Sequence, residues 1–378
     1  MTTGLGPLLD IHTRNGQGKQ SIGIPIGPDT SLVMGELVLS QVDQELSSAV
    51  RGRTHGFRYY DDYELFTASR QHADEVVTKL TKILAGWQLL LNPHKVKIQE
   101  LPIAVEEEWV SVLKRMRLDP HSSREKSDLN ALFDEAARLS DRYPRDPVLA
   151  YAIGRFITRD NRERYRVNKV NWPHLEKLLL QAALGEPGVL SRVGPIFGWA
   201  RDRGWGLDKK TMSAALNLLI ADGANRGHGS EVAWGLWVAV QLGIPLRSGT
   251  CRAVSRLTDD PVAIVALHAR EKGLTRGLDD SAWRALMTID SLLGEHWLLA
   301  YEAQVHRWLP SVGGVDYIAS DQAFQHLRAS DVRFYDDASS LPPLIRHVSK
   351  PRRVASVPTE IDVEEEDIPE PEWSMYAR

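Results

Sequence analysis

From about residue 125 onward the chain repeats one pattern: runs with apolar side chains at i, i+3, i+4 and i+7, each closed by Gly, Pro or Asp. S-D-L-N-A-L-F-D-E-A-A-R-L, H-L-E-K-L-L-L-Q-A-A-L, T-M-S-A-A-L-N-L-L-I and S-A-W-R-A-L-M-T-I-D-S-L-L all carry it. That spacing puts the apolar positions on one face of a helix, and a short helix is stable only when such a face is covered by another. Two segments begin alike, D-P-V-L-A-Y-A-I at Asp146 and D-P-V-A-I-V-A-L at Asp260, where Asp suits the N-cap and Pro the first helical position. Helix-length units joined by short turns, without a strict period, predict an irregular stack of helix pairs over residues 111–335. After it comes P-R-R-V-A-S-V-P and then I-D-V-E-E-E-D-I-P-E-P-E, and this charged, proline-rich stretch predicts a mostly disordered tail over 336–378.

Residues 1–110 have a different texture, ending in the acidic patch Glu106, Glu107, Glu108, and read as α+β. Asp29, Thr30 and Ser31 suit the start of a helix through L-V-M-G-E-L-V-L-S-Q-V-D, with Leu32, Val33, Leu37, Leu39 and Val42 marking it as largely buried. F-R-Y-Y and Y-E-L-F follow as short strands with Asp61 and Asp62 at their turn, and Ser69 suits the cap of a helix that Gly86 ends. W-Q-L-L-L and K-V-K-I-Q read as further strand material on either side of Asn92-Pro93. Adjacent Asp residues are common at turns, and Asp259-Asp260, Asp279-Asp280 and Asp336-Asp337 read as helix-cap or loop residues. Only Asp61-Asp62 stands between two runs that can pair.

Three stretches taken in order give that pair a meaning. G-I-P-I-G-P-D-T-S lies about thirty residues before it and N-P-H-K-V-K-I about thirty after it. Together they resemble the palm of reverse transcriptases: a motif B loop feeding a long helix, the Y-x-D-D hairpin of motif C, and a motif D segment ending in lysine. The resemblance covers roughly residues 10–100. It implies a partial polymerase palm, an antiparallel hairpin with packed helices, followed by the all-α region. In that family Gly23, Pro25, Ile26, Gly27 and Ser31 would form the bend along the incoming base pair and template, and Tyr60 would stand beside the primer end. Asp61 and Asp62 would bind two Mg2+ ions, with Mn2+ as an alternative, and Lys95 would neutralise or protonate the leaving pyrophosphate.

The I-P-I-G-P form, with Ile26 where most members have Gln, is most similar to the abortive-infection and defence-associated reverse transcriptases of bacteria, in which a helical repeat-like region follows the palm. The family also carries a motif A strand with a third metal-binding Asp, and fingers, which this chain does not show. Asp10, in P-L-L-D-I-H-T-R, resembles part of the helix between motifs A and B and is not that ligand. The resemblance therefore implies an RNA-directed DNA polymerase of antiphage type, a nucleotidyltransferase inactive by itself until a motif A half completes it, from a restored N-terminus or another chain. Implied partners are an RNA or DNA template and primer, deoxynucleoside triphosphates, and further copies of the chain. The other reading is a degenerate palm kept as a scaffold, with the helical region gripping a protein or nucleic acid.

Bulk composition bounds these readings. Forty-six Lys and Arg against 50 Asp and Glu leave a formal net charge of -4, so any basic groove is local. Arg51, Arg53, Arg58 and Arg70 are candidates for phosphate contacts against a default of solvated surface. The single Cys251 excludes a disulfide framework and a Cys-rich zinc site, and with no membrane-length apolar run the expectation is a cytoplasmic protein with no membrane association. His12, His55, His72 and His94 lack metal-ligand spacing, and Trp87, Trp109 and the later tryptophans read as packing residues.

Overall fold

The computed structural model describes residues 4–15, 19–21, 23–24, 29–50, 52–104, 106–158 and 162–338. It is mostly helical with one small antiparallel sheet, and the chain divides into two compact units, residues 1–105 and 106–378. No helix among the described residues is long and apolar enough to cross a membrane.

The first unit contains α1 (Leu5–Asn15), α2 (Asp29–Val50), the strands β1 (His55–Tyr59) and β2 (Asp62–Phe66), and α3 (Arg70–Gly86). Ser69 caps α3 by accepting from the His72 N–H, as its position predicts. Its core is small: Val42, Leu46 and Val50 of α2 pack on Val76, Leu80 and Leu84 of α3, with Tyr63 and Leu65 of β2 closing one side. The expectation of a largely buried α2 fails for its N-terminal half. Leu32, Val33 and Leu37 are exposed, because α3 and the hairpin cover only the later turns.

The expected strands over W-Q-L-L-L and K-V-K-I-Q are also absent, β1 and β2 being the only named strands among the described residues. The first stretch is spent on ending α3: Gln88 takes a left-handed φ of 58°, and the Leu89 N–H donates back to the Leu84 carbonyl. The second finds no ladder partner, so its β-prone pattern stays irregular.

The second unit starts with α4 (Glu108–Arg115) and continues through α5 (Glu125–Arg142), α6 (Val148–Ile153), α7 (Trp172–Gly185), α8 (Leu190–Asp202), α9 (Lys209–Arg226), α10 (Gly229–Leu242), α11 (Ser248–Val254) and α12 (Asp260–Glu271). Four shorter helices follow: α13 (Ser281–Ala285), α14 (Ile289–Leu292), α15 (Trp297–Val305) and α16 (Gln322–Ala329). Helices alternate between two layers. In one, α5 packs on α7, α7 on α9 and α9 on α11, and in the other α6 packs on α8, α8 on α10 and α10 on α12. A continuous apolar core runs between the layers. Close approach of α9 and α10 depends on Gly235, where a methyl group would stand 2.7 Å from Ile220 Cγ1.

Buried polar side chains join successive turns of this stack. Glu125, fully buried, accepts from the Tyr165 hydroxyl at 2.6 Å, the Asn168 backbone N–H at 3.1 Å and the Asn171 side chain at 2.6 Å, just before α7. Glu176 of α7 accepts from the Asp208 N–H at the start of α9, and Asn217 of α9 accepts from the Arg247 N–H at the start of α11. Asp260 accepts from Leu299 N in the first turn of α15, and Glu302 accepts from Phe334 N and Tyr335 N. A helix start leaves backbone donors without intrahelical partners, so Glu125, Glu176, Asn217 and Asp260 satisfy groups that burial would otherwise penalise, and Glu302 does the same for the loop after α16.

Three local expectations are corrected here. Asp146 does not stand at the N-cap of α6, where Pro147 is found, and α12 is capped by Asp259, which accepts from Val262 N. Asp260 instead points inward to His296 and Leu299, because the buried donors there need an acceptor more than the helix needs a second cap. The single helix expected over residues 281–293 is two, α13 and α14, broken where Thr288 caps α14 through its hydroxyl and the Met287 carbonyl accepts from Val312 N. Of the expected tail, Asp336, Asp337 and Ala338 form a loop end, and the remainder lies outside the described residues.

Near that end the His306 side chain is buried, with Nε2 3.2 Å from Glu302 Oε2 and from the Tyr335 carbonyl, and Nδ1 3.7 Å from Asp337. The bond to Glu302 raises the imidazole pKa above 6.5 against the opposing cost of burial, with Asp337 adding to the rise. A folded pKa above the unfolded one means that this stabilisation is complete below about pH 6.5 and fades as pH rises through the folded value. Melting temperature followed by tryptophan fluorescence should accordingly fall as pH rises above about 6.5, with a shallower slope in His306→Gln. Glu125→Ala should lower the unfolding free energy by about 3 kcal/mol in urea titration of the whole chain, since it strands several buried donors.

Candidate functional site

The paired aspartates sit on a tight reversal. Tyr59 pairs with Asp62, leaving Tyr60 and Asp61 as the two turn residues, and Tyr60 takes the left-handed φ of 55° that such a hairpin turn requires. Its ring stands edge-on to that of Tyr59 at 4.7 Å. Along β2, Tyr63 and Leu65 face the helices, so Asp62, Glu64 and Phe66 face away by the two-residue period of a strand. Both carboxylates of the pair are exposed, and among the described residues neither has an ion-pair or side-chain hydrogen-bond partner.

What aims the hairpin is Arg58. Its guanidinium reaches Glu36 at 2.6 Å and Asp43 at 2.9 Å, both on α2, and also donates to the Tyr60 carbonyl at 2.5 Å, so it ties the turn itself to the helix. Tyr63 donates its hydroxyl to the same Asp43 at 2.7 Å. The hydrogen bonds from Arg58 hold Glu36 below the usual carboxylate range, and Glu36 and Asp43 hold the guanidinium charged. Burial and then the bond to Asp43 raise the Tyr63 phenol above its ordinary value, which keeps it a donor. This clamp was not foreseen, and it removes Arg58 from the candidate phosphate contacts, since its donors are already engaged. The signal in the sequence is weak: Glu36 and Asp43 are seven residues apart, two turns on one helix face, but nothing local pairs them with an arginine fifteen residues further on.

The clamp also ties the turn to the helix that carries Ser31. Ser31 lies five residues before Glu36 in the same helix, about 7.5 Å along its axis. Gly23 is exposed with a φ of 102°, a conformation open to glycine and strained for other residues. Pro25, Ile26 and Gly27 lie outside the described residues. Lys95 is exposed at the end of a turn in which its N–H donates to the Asn92 carbonyl and the His94 N–H to the Asn92 side chain. Asp10 is paired with Arg14 on α1 at 2.6 Å.

Oxygen donors on a rigid turn, free of protein partners, fit a hard divalent cation in type, and Asp61 and Asp62 would hold it. No cluster of three or more His, Cys, Asp or Glu suited to a metal occurs among the described residues. No protein-family model matches this chain, and no curated protein is significantly similar to it.

Replacing Arg58 by Ala should free the hairpin and leave Asp43 and Glu36 facing each other's charge. We expect faster chymotrypsin cleavage at Tyr59 and Tyr60, by about tenfold or more, with little change in the unfolding of residues 106–338.

Proposed function

We propose that residues up to about 105 are the part of a reverse-transcriptase-type palm that carries the paired metal-binding carboxylates, and that the chain works in bacterial antiphage defence as an RNA-directed DNA polymerase once a motif A half is present. The observation that carries this reading is the clamped turn: Tyr60, Asp61 and Asp62 on a two-residue reversal, tied through Arg58 to the helix Asp29–Val50, which carries Ser31. A mobile loop could carry the same letters, but it could not hold two carboxylates within the few tenths of an ångström that nucleotidyl transfer demands.

Each residue then has a physical task. Asp61 and Asp62 present up to four oxygens on one rigid edge to Mg2+, which when bound stabilises charge on the attacking and leaving oxygens. Arg58 positions that edge and touches no substrate. Tyr60, held with φ positive, places its ring beside the primer end. Gly23 and Ser31 border the base pair, where small groups let the backbone approach closely, and Lys95 offers a proton or a positive charge to pyrophosphate. The uncovered stripe of Leu32, Val33 and Leu37 on the turn-proximal half of α2 supports the need for a further polypeptide segment, because so much contiguous apolar surface beside a polar site is costly in water.

A second reading is favoured by a different observation. The helical stack of residues 106–338 has an extensive core of its own, as a binding module would, and the palm would then be a scaffold. One experiment separates the two. The chain is combined with a polypeptide supplying a motif A half, and incorporation of labelled deoxynucleotides is measured with Mg2+. Asp61→Ala and Asp62→Ala should each lower it by 1000-fold or so, as expected for loss of a metal ligand. Incorporation that survives both substitutions sinks the polymerase reading, and phage resistance that survives them supports the scaffold.

A further inference from the structure

Eleven tryptophans occur in the chain, and those of the helical stack other than Trp234 and Trp237 are mostly enclosed in packing: Trp172 donates to the Gly206 carbonyl, Trp283 to Leu257 and Trp308 to Glu271, while Trp109 and Trp199 are buried without an acceptor among the described residues. Trp234 and Trp237 on α10 do not follow this. Trp234 is 39% exposed, the two rings meet edge to face at 5.5 Å, and neither indole N–H has a hydrogen-bond partner among the described residues. Adjacent helix positions three apart share a face, so both rings stand on one wall of the open groove between α10 and α12. That groove measures about 390 Å3 and has Pro261 and Val265 opposite. Its size is that of a small-ligand site rather than a packing defect.

The rim is polar on one side only. Ser230 and Asp259 stand at the starts of α10 and α12, and Asp259 is the one charged residue lining the groove. The carboxylate cannot swing away freely. Oδ1 accepts from the Val262 N–H at 3.0 Å, and Oδ2 lies against Gly229, where a Cβ would come within 2.4 Å of it. A ligand therefore meets two indole rings and one fixed negative charge.

We propose that this groove binds an arginine side chain presented by an extended segment of another polypeptide. A guanidinium satisfies both walls at once: its edge donates to Asp259, and its face stacks on an indole, which attracts cations and suits a planar one best. The indole N–H groups and the Ser230 hydroxyl can then donate to backbone carbonyls of the same segment, which an extended strand offers and a free cation does not. A phosphate-bearing ligand is disfavoured, because the groove is lined by no Lys or Arg and its single charge repels phosphate. The inference stands apart from the polymerase reading, and Asp61→Ala and Asp62→Ala leave it untouched.

The test uses the whole chain and a short fluorescein-labelled peptide with an arginine pair in an apolar frame, followed by fluorescence anisotropy. Saturable binding is expected, weakened about tenfold or more when citrulline replaces arginine, and equally by Trp234→Ala and by Asp259→Asn. Asn keeps the cap on α12 while removing the charge, and Trp234 is exposed, so unchanged melting temperatures should accompany both losses. Equal binding of the citrulline peptide, or no effect of either substitution, overturns the proposal. So does a single-stranded oligonucleotide that binds more tightly in a Trp234-dependent way, which makes the groove a base-stacking site. Peptide binding that emerges only in Arg352→Gln with Arg353→Gln identifies the chain's own C-terminal segment as the occupant and overturns a separate partner.

Discussion

A polar side chain buried on one helix that holds the backbone N–H of a later helix start is the interaction on which the second unit depends. Glu125, Glu176, Asn217 and Asp260 each reach 30 to 43 residues ahead to such a start, and Glu302 holds the segment after the last helix in the same way. Apolar contacts between helices are permissive about sliding and rotation, since a ridge can meet several grooves at similar cost. A carboxylate with one correct set of donors is not. Each acceptor therefore sets where the next pair sits on the last, and it does so at the helix starts, where donors are in surplus. The same logic accounts for buried carboxylates that neighbour no cation: backbone and amide donors do for Glu125 what an ion pair would do elsewhere.

In the first unit the corresponding interaction is ionic and lies nearer the surface. Arg58 bridges Glu36 and Asp43 and takes the turn carbonyl as well, so one side chain converts a two-stranded ribbon, which would be marginal in water, into a fixed platform. With its guanidinium side chain largely covered and bidentate to Glu36, this fork is stronger than an ordinary surface pair. Its consequence is geometric: the exposed Asp61 and Asp62 have a tethered base, and the aromatic rings beside them stand outside the core. The price is a small core and bare apolar surface on α2.

Much of this was legible beforehand. Amphipathic spacing marked α5, α7 and α9, Ser69 marked the start of α3, and the alternation around Asp61-Asp62 marked the hairpin, because these signals are local and reach only a few residues. Misreadings arose where a local preference met a distant demand. Leu32, Val33 and Leu37 have the apolar spacing of a buried face, yet no described residue of their own unit covers them. W-Q-L-L-L has strand composition, but Gln88 and Leu89 are taken by the end of α3. In the second D-P-V copy the Asp that suits a cap is turned inward by buried donors from residues near 296–299. Arg58 looked like any surface arginine, since its partners are fifteen and 22 residues away.

The sequence by itself determined which segments become helix, that one hairpin carries adjacent carboxylates, and that a helical stack follows. Periodicity, caps and turn residues act within one or two turns of chain and need no partner to be read. Tertiary structure alone decided which acidic residues are buried acceptors and which are exposed candidates for chemistry, which arginine is spent on holding the turn, and which tryptophans line an open groove. Those outcomes depend on which groups from remote parts of the chain compete for the same donors, acceptors and apolar cover, and a local pattern carries no information about its competitors.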